Sequence, residues 1–405
     1  MDFEHSEKTK DYLKRLKSFI NEKVAPVEKR FHEELRSKAN GGDWTKWKIP
    51  PYVEELKEEA KKIGLWNLFI DHEGYGGLSN VEYAPLAEEM GKSELSQLVC
   101  NCNAPDTGNM EVLIKYGTEQ QKEQWLKPLM DGKIRSVFCM TEPAVASSDA
   151  TNMEATAIQE GDEIVINGRK WWSSNIGHPD CKIIVFMGLT YPEASRHSQH
   201  SMVLVPVDAE GVKIERMLSV FGEFHEPHGH GEVSFNNVRV PKENFILGPG
   251  RGFEIAQGRL GPGRIHHCMR SIGAAELALE LMIKRGMERT AFGKPIINLG
   301  GNRERIADLR IAIDQARLLT LRAAWKVDKF GGMAAVADVS AIKVIAPNVL
   351  QRVADEAIQI FGGAGVSQDT PLAHIFANGK IMRIFDGPDA VHRGLVARIE
   401  LAKYK

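Results

Sequence analysis

Glu163–Trp172 reads E-I-V-I-N-G-R-K-W-W. Apolar and polar residues alternate on either side of Asn167-Gly168, a period of two rather than the 3.6 of a helix. An Asn-Gly pair between two apolar runs is a strong hairpin signal, so a turn is expected there. Downstream, Lys182–Leu189, Ser201–Val207, Val212–Met217 and Glu232–Val240 are further strand candidates, short and separated by turn residues. Residues 136–248 are therefore expected to form a compact antiparallel β domain, a small barrel or sandwich.

On both sides the period returns to that of a helix. In residues 1–135, Leu13, Leu16, Ile20 and Val24 recur at helical spacing, as do Leu56, Ala60 and Ile63. Pro50-Pro51 and the stretch Glu73–Asn80, with its three glycines, punctuate this region. Thr118 followed by Gln121 has the T-x-x-Q form of a capping box, which predicts a helix through Met130. In residues 249–405 the helical segments are Phe253–Arg289, Arg303–Lys329, Ala334–Phe361, Pro371–Ile384 and Asp389–Lys403, with turns at Gly331-Gly332 and Gly362–Gly365. The fold class is α+β and mostly α, in three domains: helical 1–135, β 136–248 and helical 249–405. Strands and helices do not alternate, which disfavours a parallel-sheet dinucleotide fold.

Composition narrows the function. Lys plus Arg is 52 and Asp plus Glu is 54, a net charge of −2, so gripping nucleic acid phosphates is not the main work of this chain. The start, M-D-F-E-H-S-E-K-T-K, is charged and shows no targeting signal, and no apolar run approaches the roughly 18 residues of a membrane helix. The cysteines Cys100, Cys102, Cys139, Cys181 and Cys268 are odd in number and contain no C-x-x-C. A disulfide framework is not expected, and the expected location is a reducing one, bacterial cytoplasm or, in a eukaryote, an organelle matrix. His225, His228 and His230 form H-x-x-H-x-H, but within the Gly/Pro-rich loop F-H-E-P-H-G-H-G-E and without a cysteine or paired acid at a ligand spacing; no metal is expected.

Five segments carry chemistry-bearing residues. F-C-M-T-E-P-A-V-A-S-S-D (Phe138–Asp149) offers backbone N–H groups and hydroxyls to a polar ligand, or is a linker with turn chemistry. K-W-W-S-S-N (Lys170–Asn175) puts adjacent rings on opposite faces of a strand, so that one can pack inward while the other covers a flat ligand. R-T-A-F-G-K (Arg289–Lys294) is a basic pair around a turn, suited to a pyrophosphate or to a helix end. Q-I-F-G-G-A-G-V (Gln359–Val366) allows close backbone approach, but it is not G-x-G-x-x-G after a strand. In I-F-D-G-P-D-A-V-H-R (Ile384–Arg393), Asp386 is either the N-cap of the last helix or a general base with a raised pKa.

Taken together, in this order and at these distances, the segments resemble the acyl-CoA dehydrogenase family over nearly the whole chain. T-E-P-x-V-A-S-S-D-A-T-N, P-H-G-H-G and I-F-D-G-P-D are most similar to the subgroup of its members 10 and 11. The resemblance implies a middle β-barrel, a C-terminal four-helix bundle, bound FAD, a homodimer or homotetramer, an acyl-CoA substrate and an electron-transfer flavoprotein as acceptor. It implies that Phe138, Met140 and Thr141 line the flavin, that Trp172 covers it, and that Ser174 bonds near its hydride-accepting nitrogen. Arg289 and Phe292 would reach a partner subunit's cofactor, with Gln359 and Gly363 also on the FAD side. Ser147 or Ser148 would face the pantetheine arm, Arg264 and Gly387 the acyl-CoA, and Asp386 would be the base.

Two departures from the family pattern stand out. The base position is usually Glu, and the alternative position on the long helix is Gly263, which has no side chain. The T-E-P loop is one residue longer, so Ser147 rather than Asp149 keeps the usual offset from Thr141. Two other functions fit the same fold: a nitroalkane-oxidase-like flavin oxidase, which also has an Arg seven residues after its Asp, as Arg393 is here, and a non-catalytic flavin-fold assembly protein.

Overall fold

The computed structural model describes residues 4–37, 40–71 and 77–404, so residues 73–76 of the glycine-rich stretch lie outside the described residues. The chain is 55% helix and 16% strand. It divides into two compact units, each assembled from separated pieces of sequence. One comprises Val24–Asn67 and Leu98–Leu260, and the other Met1–Lys23, Leu68–Gln97 and Gly261–Lys405. No helix among the described residues is long and apolar enough to cross a membrane.

The first unit is built on a curled seven-stranded sheet. Its strands are β1 (Arg135–Cys139), β2 (Thr156–Glu160), β3 (Glu163–Ser174), β4 (Cys181–Leu189), β5 (His200–Pro206), β6 (Val212–Leu218) and β7 (His230–Pro241), in the order β1-β4-β2-β3-β7-β6 with β5 also on β4. The β2–β3, β3–β7, β4–β5 and β6–β7 pairs are antiparallel, as expected. The β1–β4 ladder and a single β2–β4 pairing are parallel, which was not expected. A β1 that reaches β4 by way of the β2–β3 hairpin makes a crossover, and crossovers give parallel neighbours. β4 is buried on both faces along most of its length, which explains its continuous apolar run. Phe186 and Phe235 pack at 4.8 Å between centroids in this core, among Ile164, Ile166, Val203 and Val233. Full burial of each such side chain contributes about 1.5–3 kcal/mol.

Asn167-Gly168 does not turn. The chain reverses at Gly161-Asp162, and β3 continues through Asn167-Gly168 as a bulge, its register on β7 shifting between Ile166 and Gly168. Gly168 has φ 138°, and Asn167 Oδ1 accepts the N–H of Asn237 at 2.7 Å. The permissive backbone of an Asn-Gly pair thus serves a kink rather than a reversal.

At the head of β1 lies a buried polar network. Asp106 Oδ1 accepts Ser136 N–H and Ser136 Oγ–H, both at 2.7 Å, while Oδ2 accepts Arg135 and Asn175 Nδ2, both at 3.2 Å. Arg135 also donates to Asn101 Oδ1 at 2.9 Å. The capping box expected at Thr118 and Gln121 is present, and helix of mixed α and π type runs from it to Met130.

The second unit is helical. Gly252–Glu288 enters it at Gly261, and Asn302–Phe330, Val336–Phe361, Leu372–Met382 and Asp389–Ala402 follow. Val336–Phe361 is the central helix of this group, packing on Asn302–Phe330, Leu372–Met382 and Asp389–Ala402. Asp328, on Asn302–Phe330, caps the helix Asn80–Met90 by accepting Asn80 N–H at 3.0 Å and Val81 N–H at 2.9 Å. All five cysteines are buried and unbridged. Burial raises the thiol pKa of Cys139 to about 11 and of Cys268 to about 12.

A Cβ added at Gly168 would lie 2.4 Å from Ala155 Cβ and 2.8 Å from Ala155 Cα, on a backbone that L-residues rarely adopt. Overpacking of about 1–3 kcal/mol and backbone strain of about 1–2 kcal/mol act together. Gly168→Ala should therefore lower the urea unfolding free energy by about 2–5 kcal/mol, whereas a positive-φ turn position open to solvent would show only the backbone strain of about 1–2 kcal/mol.

Candidate active site

In the β unit, Phe138 and Met140 end and follow β1, and both are half-buried. Thr141 is stitched to β3: its hydroxyl donates to Trp171 O at 2.7 Å, and Trp171 N–H donates to Thr141 O at 3.0 Å. Beyond it the T-E-P loop is anchored by a buried ion pair. Lys170 Nζ donates to Glu142 Oε1 at 2.7 Å and to Met140 O at 2.8 Å. The Glu142 carboxylate also accepts the N–H groups of Glu154 and Ala155 at 2.9 and 3.0 Å. Ser147 is part of the loop's own fold, its Oγ accepting Glu142 N–H at 2.8 Å; Ser148 is exposed.

The register of β3 on β7 slips between Lys170 and Ser173, and there Trp172 adopts φ 52° with 41% of its surface exposed. This second bulge breaks the strict two-face alternation expected of the adjacent tryptophans and leaves one large ring uncovered on the sheet. Ser174 pairs across the strands with His230, and Ser174 Oγ lies 2.8 Å from His230 Nδ1. Next along the chain, Asn175 joins the Asp106 network and takes His228 Nδ1 on its Oδ1 at 2.9 Å.

In the helical unit, Asp386 lies in the turn between Leu372–Met382 and Asp389–Ala402. It is not the cap of the last helix: that position is Pro388, with no side-chain bond. Asp386 has φ 52° and Gly387 φ 96°. Asp tolerates the left-handed region better than most L-residues do.

Donors from three helices hold this turn. Arg264 Nε donates to Asp386 O at 3.1 Å, and His392 Nε2 meets the same oxygen at 3.0 Å. Lys343 Nζ, buried on the central helix, donates to Phe385 O at 2.8 Å and to Met382 O. Arg383 Nε closes the turn on Asp389 Oδ2 at 2.9 Å. The Asp386 carboxylate is partly exposed, with His267 Nε2 3.7 Å from its Oδ2.

Burial lowers the pKa of Lys343 and of Arg264, with Asp386 opposing the shift in both. Burial, then the Arg264 charge, lowers His392 to about 4. A neutral His392 that donates from Nε2 has a lone pair at Nδ1, and that atom is buried with no hydrogen-bond partner. Beside Arg264, Gly263 faces open space, where an added Cβ would meet nothing within 4 Å.

A third set lies elsewhere in the helical unit. Arg289 precedes a small hairpin formed by Thr290–Ala291 and Lys294–Pro295, and Phe292 sits at its tip, 95% exposed. Gln359 and Gly363, at the end of the central helix, are also exposed.

Sequence reasoning missed Lys343, and it named Lys170, His392 and His230 only within their segments, without the contacts they make. Lys343 had a signal: it interrupts the apolar run A-I-K-V-I-A on a face that Val339, Ile342 and Ala346 bury. The contact of His230 with Ser174 becomes visible only once the β3–β7 register is known.

Three family descriptions match the chain in sequence: the acyl-CoA dehydrogenase N-terminal domain over residues 6–133, the middle domain over 137–238 and the C-terminal domain over 250–401. The Mycobacterium tuberculosis protein described as "Probable acyl-CoA dehydrogenase FadE2" is 53% identical, over 100% of this chain and 98% of its own length. Acyl-CoA dehydrogenase family member 11 of Gallus gallus is 53% identical over 98% of this chain, which spans only 51% of that relative. A solved structure from Mycobacterium abscessus, itself assigned to the acyl-CoA dehydrogenases, superposes with a TM-score of 0.96 at 60% identity and full coverage of both chains.

His392 and His230 make stability depend on pH. Their ordinary pKa is 6.5, and the fold lowers them to about 4 and about 3 respectively, burial being the main cause in both. Between 6.5 and 4 the unfolded chain binds protons that the folded chain does not, so stability is greatest above 6.5 and falls as the pH drops through that window. The urea midpoint should fall from pH 7.5 to pH 4.5, and His392→Asn should flatten that decline.

Proposed function

Because the chain belongs to the acyl-CoA dehydrogenase family, we propose that it is an FAD-dependent dehydrogenase that removes hydrogen from the α and β carbons of a fatty acyl-CoA thioester, with Asp386 as its base. The observation that carries this reading is the state of Asp386. Its carboxylate caps no helix and is partly exposed, while its backbone is fixed in a left-handed turn by Arg264 and His392. A group so held, with its carboxylate not tied into a helix cap, suits proton abstraction at a defined place.

The residues of the β unit suit a flavin. The uncovered Trp172 ring offers an apolar face, and Phe138, Met140 and Thr141 at the end of β1 are half-buried and so keep surface for a ligand. Bound FAD supplies the hydride acceptor. Asp386 takes the α proton, which is acidic only in so far as the thioester oxygen is stabilised as charge develops. The N–H of Asp386 is assigned to that oxygen, and loss of such a donor typically costs about 2.7–4 kcal/mol in the transition state. Arg264 and Gly387 border the acyl-CoA beside the base. Of the two loop serines, Ser148 is the better candidate for the pantetheine arm, since the Ser147 hydroxyl holds the loop together. Arg289, Phe292, Gln359 and Gly363 are assigned to the cofactor of a partner subunit in a homodimer or homotetramer; the exposure of Phe292 supports this. Electrons would leave to an electron-transfer flavoprotein.

Asp386→Asn keeps a residue that tolerates the left-handed turn and removes the proton acceptor. It should give a folded, yellow, acyl-CoA-binding protein whose anaerobic flavin bleaching is slowed at least ~10²-fold. Bleaching at the wild-type rate would leave Asp386 outside the chemistry, and a yellow wild-type protein that no acyl-CoA bleaches would reject the dehydrogenase reading itself. Arg289→Ala should lower flavin occupancy and weaken the oligomer together, measured by absorbance and light scattering on one sample. Normal flavin content in a stable monomer would reject that assignment.

A further inference from the structure

The reaction above makes no use of the imidazoles of F-H-E-P-H-G-H-G-E, yet two of them are wired to Ser174. Ser174 Oγ lies 2.8 Å from His230 Nδ1, and His230 Nε2 lies 2.9 Å from His225 Nδ1. The β3–β7 register puts Ser174 directly opposite His230, so the backbone fixes the first contact. The His230 ring also lies 5.8 Å from the ring of Trp172.

Protons along such a chain are not independent. A neutral imidazole has one N–H and one lone pair. His230 is kept neutral by burial and by the neighbouring His225 and His228. Every proton therefore points toward Ser174, or every proton points away. In the first case His230 Nδ1–H donates to Ser174, and the hydroxyl proton turns outward as a donor. In the second, Ser174 donates to His230 Nδ1, His230 Nε2–H donates to His225 Nδ1, and the remaining lone pairs of Ser174 face outward as acceptors. Even with its conjugate-acid pKa lowered to about 3, the His230 lone pair is far more basic than a hydroxyl oxygen, which favours the second arrangement.

We propose that the His225–His230 pair holds the Ser174 hydroxyl as an acceptor toward the flavin and so makes the site prefer reduced over oxidised FAD. This rests on the reading that Ser174 meets the hydride-accepting nitrogen. Oxidised flavin presents a lone pair at that atom, and reduced flavin presents an N–H. An acceptor facing it stabilises the reduced state and opposes the oxidised one. The pair adds no proton and no electron to the reaction: the hydride comes from the substrate, the α proton goes to Asp386, and His230 stays neutral. His230 and His225 are thus positioning residues that act through Ser174.

The test is the midpoint potential of the flavin in intact holoenzyme, measured by anaerobic titration against a reference dye, with FAD content and thermal unfolding as controls. Ser174→Ala and His230→Leu should each lose about tenfold of the preference for reduced flavin, a fall of about 30 mV for a two-electron couple. The double variant should lose no more than either single one, since the histidine acts through the serine. His230→Asn, whose amide oxygen can stand near the Nδ1 position, should recover most of the potential. Should His230→Leu fail to retain FAD, His225→Leu should shift the potential in the same direction. A lowered potential in Ser174→Ala with an unchanged or raised one in the histidine variants, or additive shifts in the double variant, would overturn the relay and leave the flavin reading standing. A wild-type potential in Ser174→Ala would overturn the relay together with the placement of Ser174 at the flavin.

Discussion

Asp106 is a carboxylate with only 1% of its side chain exposed, and a charge sealed from water must have its lone pairs met. It does so by drawing together two strand ends of the β unit: the start of β1 through Arg135 and Ser136, and the end of β3 through Asn175. Both ends adjoin the proposed flavin face. Phe138, Met140 and Thr141 follow directly from the anchored end of β1, and Trp172 and Ser174 directly precede Asn175. Asn175 Oδ1 then takes His228, which carries the same restraint into the histidine loop. A buried pair of this kind adds little net stability over a well-packed apolar substitute. What it does here is fix which backbone groups can lie beside which.

The same device recurs where the chain leaves regular structure. Lys170 and Glu142 hold the T-E-P loop to β3, and Lys343 holds the carbonyls ahead of Asp386. In each case a buried ammonium meets acceptors that an irregular backbone would otherwise leave unmatched. The left-handed turn at Asp386 is over-determined by donors from three separate helices, which is the condition under which an uncommon backbone conformation persists. Function is carried by loops, and the geometry of those loops is carried by charges inside the packed elements beneath them.

Much of this was legible in the residues. The change of period at β3 located the sheet, the Thr118 capping box located a helix start, and Asp386 was visible as an acid beside a Gly-Pro turn. Asn167-Gly168 misled because a permissive backbone serves a bulge as well as a turn, and only the partner strand decides between them. The parallel β1–β4 ladder was hidden for the same reason, since a strand's sequence does not name its neighbour. Lys343, His392 and His230 act through contacts that span the fold rather than the local chain. Periodicity cannot report these, and in the case of His230 it suggested an idle polar loop.

The buried cysteines have a practical consequence. Thiols react as thiolates, and with pKa values near 11 and 12 Cys139 and Cys268 hold a thiolate fraction on the order of 10⁻⁴ or less at neutral pH. Cys100 and Cys181 are shifted in the same direction, and Cys102 is fully enclosed. While folded, the molecule is close to silent toward maleimides and iodoacetamides. A single cysteine introduced at an open position, such as Met333 with 89% of its surface exposed, would stand out as the one fast-reacting thiol. A fluorophore or spin label could then be attached to the native background, with every original cysteine left in place.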